Sequence, residues 1–309
     1  MVDGQFDFSR WGPLGLTSGF PLCFLKVLPN MIACHISINQ DARGPNNTIH
    51  QCETSSLQAV IEAAQAIQRG MADVMIAGGA SSAMNPFDWA ARAVGGRLSP
   101  RSDPPTEVMR PFDALRDGEV AAEGAAVYVL ESSRHARARK ARILARILGG
   151  ASATEPRSAT RAGNASGPSI RAATPVGTGL TRAIRLAMAE AGLGPDEIGH
   201  VNAQGASLAS DDPIEARAIH ACLPDVPVTA PRSFFGNAGA AAGALEMIAS
   251  VMAVGEGRIP VTLNYQCPDP DCPVAVIHGK PLVTTLRTAL AINWTRVGQA
   301  TALVLAGPE

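Results

Sequence analysis

Gly44-Pro45-Asn46, then Ile49-His50-Gln51-Cys52-Glu53-Thr54-Ser55-Ser56-Leu57-Gln58-Ala59-Val60, is the stretch on which the reading of this chain turns. Gly-Pro-Asn is a turn signal, and residues 44–52 read as an extended segment. From Thr54 the period changes. Leu57, Val60, Ile61, Ala64 and Ile67 fall on one face of a helix over 54–69. Gly70 is a natural stop. Glu53 therefore lies at a helix N-terminus, where a carboxylate gains roughly 0.3–1 kcal/mol from unpaired backbone N–H groups. Cys52 reads as a small hydrophobe pointing back along the extended segment into the protein.

Outward from this stretch, strands and helices alternate. Asp73 to Gly79 is a short apolar strand, 86–97 a helix, 99–118 a loop-rich passage, and Gly124 to Glu131 another apolar strand. Residues 142–150 read as a strand, 151–173 as an exposed Ser/Ala/Gly/Thr-rich loop, and 176–192 as an amphipathic helix ending at Gly192. A strand at Gly199–Ala203, a helix opened by Pro213, a strand at Val226–Ala230 and an Ala/Gly-rich helix over 238–254 follow. Strands at Thr288–Asn293 and Ala300–Leu305 close the chain. Residues 1–30 lack clear periodicity and read as a loop-rich lead-in with room for one short apolar helix. The alternation indicates an α/β architecture with sheets covered on both faces.

The chain has 309 residues, 46% of them hydrophobic, which is enough for one large core without disulfide staples. The net charge of -1 and the scattered Lys and Arg argue against a nucleic-acid footprint. The one basic run is Arg134, Arg137, Arg139, Lys140, Arg142 and Arg146. It reads either as a solvated helix end and strand edge or as a docking patch for an acidic carrier protein or membrane surface. Cys267 and Cys272 have no second pair to complete a tetrahedral site, so no metal is expected. The apolar stretch after Trp11 is broken by Pro13, Pro21, Lys26 and Pro29, so no membrane span is expected there. A cytoplasmic setting follows from the lack of a secretory signal.

Several motifs recur in the order found in β-ketoacyl synthases. The quoted stretch resembles their nucleophile segment, in which Gly-Pro-Asn and a short strand lead to Ala-Cys-Ser-Ser at the start of a buried helix. Ala72-Asp73-Val74-Met75-Ile76-Ala77-Gly78-Gly79 is similar to the stretch after that helix. Arg110-Pro111-Phe112-Asp113, Arg116-Asp117-Gly118, Glu123-Gly124-Ala125 and Val129-Leu130-Glu131 match next. Asp212 with Glu215, then Gly239, Ala241-Ala242-Gly243 and Glu246, complete the series. The resemblance runs from about Pro29 to the C-terminus. It implies a thiolase-like α/β fold of two related halves, 1–140 and 141–309, in a layered αβαβα arrangement. Because it starts so close to the nucleophile segment, the first half is expected to be N-terminally truncated and to lack its earliest strands. Family members dimerise through the strand before the nucleophile, which makes 44–52 the expected dimer edge.

The same resemblance locates the catalytic positions. Without a gap, the family cysteine falls on Glu53. The first family histidine falls on Gln204, in Asn202-Ala203-Gln204-Gly205, and the second on Asn237, in Arg232-Ser233-Phe234-Phe235-Gly236-Asn237. Arg232 takes the place of a lysine and is expected to pair with Glu246. Arg296-Val297-Gly298-Gln299 replaces the glycine-rich closing loop. A carboxylate cannot hold an acyl chain as a thioester. Gln and Asn hydrogen-bond, but they neither shuttle protons nor become cationic. Glutamine at the nucleophile position occurs in decarboxylating and chain-length-setting members; glutamate is a different residue. Glu53 is expected to accept hydrogen bonds from the former oxyanion donors and from Gln204 or Asn237.

Cys52 is the rival nucleophile, one residue away, though the spacings from Gly44 and to Gly70 both favour Glu53. The implied role is a non-catalytic, chain-length-factor-like partner of an active ketosynthase in fatty-acid or polyketide synthesis, without a cofactor. Its expected partners are an acyl carrier protein and an active ketosynthase subunit in a heterodimer, or a second copy in a homodimer. The alternatives are an acyltransferase using Cys52 or Glu53, and a stand-alone module binding acyl chains or carrier proteins.

Overall fold

A computed structural model describes residues 8–20, 22, 25, 28–155, 159–161, 170–172 and 176–308. The chain forms two compact units, Met1–His50 and Gln51–Glu309. The first carries helices α1 (Phe8–Ser18) and α2 (Met31–Asn39). Asn46 Nδ2 donates to Ser37 Oγ at 2.9 Å and to Ala33 O at 3.4 Å, tying the Gly44-Pro45-Asn46 turn to α2. Residues 45–51 pair with no other described strand of this chain.

In the second unit the helices are α3 (Ser55–Gln68), α4 (Pro86–Val94), α5 (Ser133–Ala138), α6 (Thr178–Ala191), α7 (Asp212–His220), α8 (Arg232–Phe235) and α9 (Ala242–Glu256). The first strands are β1 (Val74–Ser82), β2 (Glu123–Glu131), β3 (Arg146–Thr154), β4 (Ala159–Arg161), β5 (Ile170–Ala172) and β6 (His200–Asn202). They are followed by β7 (Pro227–Thr229), β8 (Arg258–Ile259), β9 (Ala275–Val276), β10 (Leu282–Val283), β11 (Thr288–Trp294) and β12 (Gln299–Ala306). Strand β3 starts and ends later than the 142–150 expected, and β4 pairs with β5 inside the segment read as a loop. The rest of that loop lies outside the described residues.

The main sheet has the order β3-β12-β11-β6-β7-β9. Strand β12 is antiparallel to both β3 and β11, whereas β11, β6, β7 and β9 run parallel. Alternation along β11 and β12 separates two cores. Leu290, Ile292, Ala302 and Val304 join Leu180, Ile184 and Ile219 of α6 and α7 on one face. Ala289, Ala291, Leu303 and Leu305 join Leu57, Val60, Ile61, Met247 and Val254 of α3 and α9 on the other. Helix α9 is long and apolar enough, with the turn before it, to span a membrane by composition. It is instead a core helix, seated close to its neighbours at Gly243, where a Cβ would stand 2.1 Å from Asn293 Oδ1 and 2.8 Å from Leu57 Cγ.

Beyond α3 and α9, strands β1 and β2 pair antiparallel from Val74↔Glu131 to Ser82↔Glu123. Met75, Ala77, Tyr128 and Leu130 point inward to the α3/α9 core. Val74, Ile76, Val127 and Val129 are exposed on the opposite face. The layers of this unit therefore run helix, sheet, helix, sheet, and its second sheet has two strands. The basic run is partly neutralised where it leaves β2: Arg139 and His135 both bond to Glu131, and Arg134 meets Asp73 at 3.3 Å.

Candidate functional site

The site is built on the entry to α3. A 3-10 turn, Cys52–Thr54, precedes the helix, and Cys52 has φ +50°, a left-handed conformation uncommon for a residue with a side chain. Local bonds hold it there. Gln51 N donates to Ser55 Oγ at 2.7 Å, Ser55 Oγ donates to Cys52 O at 2.7 Å, and Thr54 Oγ1 donates to Gln51 O at 2.8 Å. The turn leaves Cys52 exposed, not buried as its sequence context implied, and leaves Glu53 half-buried. Although Cys52 is exposed, partial desolvation of its thiol by the surrounding protein, followed by the neighbouring Glu53 charge, raises its pKa despite opposition from Arg92 and Arg97. A raised pKa depletes the thiolate, the reactive form.

Glu53 does not bond to Gln204 or Asn237, which corrects that expectation. Its partner is Arg97, with Nη2 3.7 Å from Oε1. Arg97 follows α4 and is shared among three carboxylates. It meets Glu119 through Nε at 2.9 Å and Nη2 at 3.0 Å, and approaches Asp211 at 3.6 Å. Glu119 is the hub of the cluster. It is buried, and also receives Arg92 Nη1 at 2.5 Å and Asn237 Nδ2 at 2.7 Å. Burial alone would raise the Glu119 pKa, but Arg97, Arg92 and Asn237 outweigh it and hold it below the usual carboxylate range. The Asn237 carboxamide is consumed at both ends, because its Oδ1 accepts from Gly239 N at 2.9 Å.

Gln204 is likewise engaged. Its Oε1 accepts from Trp294 N at 2.9 Å, and its backbone N–H donates to Glu215 at 2.7 Å. Glu215 also accepts from Gly205 N at 2.9 Å. Its burial, with Asp212 alongside, pushes its pKa up to about 8 despite these bonds. Arg232 and Glu246 form the expected pair: Nε and Nη2 stand 2.8 and 2.7 Å from Oε1. Both residues are buried, and Glu246 Oε2 accepts from Asn293 Nδ2 at 2.7 Å. Arg232 Nη1 has no hydrogen-bond partner. In the turn between β11 and β12, Val297 is exposed and Arg296 reaches Asp211 at 3.3 Å.

The structure thus links Glu53 and Asn237 through Arg97 and Glu119, places Arg232 with Glu246, and engages Gln204 separately through Trp294. Sequence reasoning missed Arg92, Arg97, Glu119 and Asp211. None of them belongs to a motif, and the partners lie 22 to 27 residues apart within the Arg92–Glu119 stretch alone.

Comparison with known proteins places the chain in a family. Residues 13–136 match the family model for the β-ketoacyl synthase N-terminal domain, and residues 158–266 match that for the C-terminal domain. A 3-oxoacyl-[acyl-carrier-protein] synthase 2 from Coxiella burnetii is 33% identical over 94% of this chain and 69% of its own length. The chain belongs to the β-ketoacyl synthase family. The corresponding synthase of a Synechocystis species is 34% identical over 88% of this chain and 64% of that protein. A putative polyketide β-ketoacyl synthase 1 from Streptomyces cyaneus is 35% identical over 91% of this chain and 65% of that protein. The chain therefore spans about two thirds of these relatives' length.

The ketosynthase fold is matched directly. A β-ketoacyl synthase from Burkholderia phymatum superposes with TM-score 0.87 at 28% identity, covering 99% of this chain and 73% of that one. A type II polyketide ketosynthase in complex with its acyl-carrier protein gives TM-score 0.86 at 27% identity, over 94% and 70% of the two chains. The ishigamide ketosynthase/chain length factor gives 0.83 at 27% identity, over 97% and 72%.

Proposed function

We propose that this chain is a non-catalytic β-ketoacyl synthase homologue. It pairs, in the manner of a chain-length factor, with an active ketosynthase serving fatty-acid or polyketide synthesis. We take 1–140 and 141–309 as its two related halves. One observation supports the reading: Glu53, which we take to stand at the nucleophile position, is a carboxylate held by Arg97, and the Asn237 carboxamide is occupied by Glu119 and Gly239. Neither Asn237 nor Gln204 can donate and recover a proton as a catalytic histidine does. The ketosynthase/chain length factor and the ketosynthase with its acyl-carrier protein, both of the same fold, supply the partner classes.

The exposure of Cys52 favours a second reading, an acyltransferase with a displaced nucleophile, but the raised thiol pKa works against it. Co-expression with a cysteine-bearing synthase separates these readings. A stable heteromeric complex with condensing activity that survives Cys52→Ala supports the proposal. Activity of the isolated chain that disappears in Cys52→Ala overturns it. An isolated monomer that binds a carrier protein tightly, without a synthase, points to a stand-alone module instead.

A further inference from the structure

Helix α4 (Pro86–Val94) is amphipathic with its faces reversed. Its two charged residues, Asp88 and Arg92, are the half-buried ones. Arg92 Nη1 donates to the buried Glu119 carboxylate at 2.5 Å. Asp88 is held in the N-terminal cap: Asn85 Nδ2 donates to its Oδ2 at 2.6 Å, and its own N–H donates to Asn85 Oδ1 at 3.0 Å. The apolar residues lie on the other side. Phe87, Ala90, Ala91 and Val94 follow at i, i+3, i+4 and i+7, which is one face of a helix. All four are exposed, Phe87 by 83% and Val94 by 91%. Met84 and Trp89 beside them are exposed too. Turning the helix to bury this stripe would pull Arg92 off Glu119. Arg97, just past the helix, is tied to the same carboxylate at 2.9 Å. The charged contacts beneath α4 therefore fix the apolar stripe outward.

We propose that α4 is a self-association surface, and that its occupant is the α4 of a second copy of this chain, packed antiparallel about a two-fold axis. A contiguous exposed apolar patch marks an interaction surface, and the shape of this one selects the occupant. The stripe is large at both ends, Phe87 and Val94, and small in the middle, Ala90 and Ala91. Such a face is complementary to itself turned end for end. Phe87 of one copy lies on Val94 of the other, and the reverse, which is an isologous contact. The alanines let the two helix axes approach to about 8 Å. The stripe carries no charge to desolvate or to repel its copy, and antiparallel helix dipoles attract. A lipid surface calls for cations beside the apolar face, whereas Arg92 and Arg97 are both turned inward to Glu119. The stripe offers on the order of 300–400 Å² per copy, about half of the ~800 Å² per partner of a stable interface. The dimer is therefore reversible, with a dissociation constant on the order of 10–100 μM. This contact joins like chains and does not depend on pairing with an active ketosynthase.

Sedimentation equilibrium of the isolated chain over a micromolar concentration series tests it. The expected result is a reversible monomer–dimer equilibrium. Phe87→Glu and Val94→Lys, each alone, should raise the dissociation constant by about tenfold or more and leave the urea midpoint of the monomer unchanged, since both positions are exposed. An equimolar mixture of the two variants should dimerise again. Antiparallel pairing sets the introduced carboxylate of one copy against the introduced ammonium of the other, and the second Phe87–Val94 contact stays intact. A native chain that is monomeric at every concentration overturns the proposal, as does a dimer that neither variant weakens. A mixture that stays monomeric overturns the antiparallel pairing. If either variant does not fold, Ala90→Arg at the centre of the stripe takes its place; the same weakening is expected, and its absence overturns the proposal equally.

Discussion

Replacing Glu119 by glutamine probes the electrostatic centre of the site. The substitution keeps the shape and removes the charge that Arg92 and Arg97 face at 2.5 to 3.0 Å. Breaking a buried ion pair by removing one partner costs about 3–5 kcal/mol. Two features place Glu119→Gln near or below the low end. Arg97 keeps Glu53 and Asp211 at 3.7 and 3.6 Å, and Arg92 is partly exposed and can turn to water. We expect a loss of about 2–3 kcal/mol, read as a lower urea midpoint with unchanged slope. The pH dependence supplies the sign. The folded-state pKa of Glu119 lies below its ordinary value of 4.5. Its contribution is therefore complete above pH 4.5 and is lost as pH falls through the lower, folded-state value. The gap between native and variant should be constant near neutrality and close in acid. A gap under about 0.5 kcal/mol, the range of ordinary surface substitutions, or one that does not close in acid, would mean that Glu119 is not the electrostatic centre of this site.

Three further outcomes are expected. His200 is buried with Nε2 unpartnered, and burial lowers its pKa from 6.5 to about 4. Stability should therefore fall as pH drops from 6.5 toward 4, by up to about 3 kcal/mol, and denaturation of His200→Leu should show a shallower acid slope over that window. Gly243→Ala places a methyl 2.1 Å from Asn293 Oδ1 between α9 and α3, and overpacking should cost about 1–3 kcal/mol in the same assay. Cys52→Ala removes an exposed side chain and should change stability by less than about 0.5 kcal/mol. In the native protein, Cys52 should react with iodoacetamide at neutral pH more slowly than an unperturbed thiol.

Much of the fold was readable because period and chain breakers agreed. The 54–69 helix appears as Ser55–Gln68, and the last two strands as Thr288–Trp294 and Gln299–Ala306. The misses have physical causes. Met31–Asn39 is apolar nearly all round, so it shows no helical face, and it was not anticipated. Gly149 and Gly150 looked like the end of a strand. They are close-approach positions, where a Cβ would meet Ala191 N and Ile61 Cγ1 at 2.6 Å, and β3 runs through them to Thr154.

At the site, the Arg232–Glu246 pair could be anticipated because the family resemblance of the two motifs implies a pair there. The partner of Glu53 could not. It depends on the directions of Arg97 and Glu119 side chains leaving two loops, and no spacing rule encodes that. The backbone turn at Cys52 was equally hidden, since its positive φ falls on a residue with no preference for it.

A non-catalytic chain forms no acyl-enzyme. Intact-mass measurement after incubation with an acyl-carrier-protein or acyl-CoA thioester tests it most directly. The mass is expected to stay unchanged at every time point. A gain of one acyl group, mapped to Cys52 or to Glu53, would contradict it.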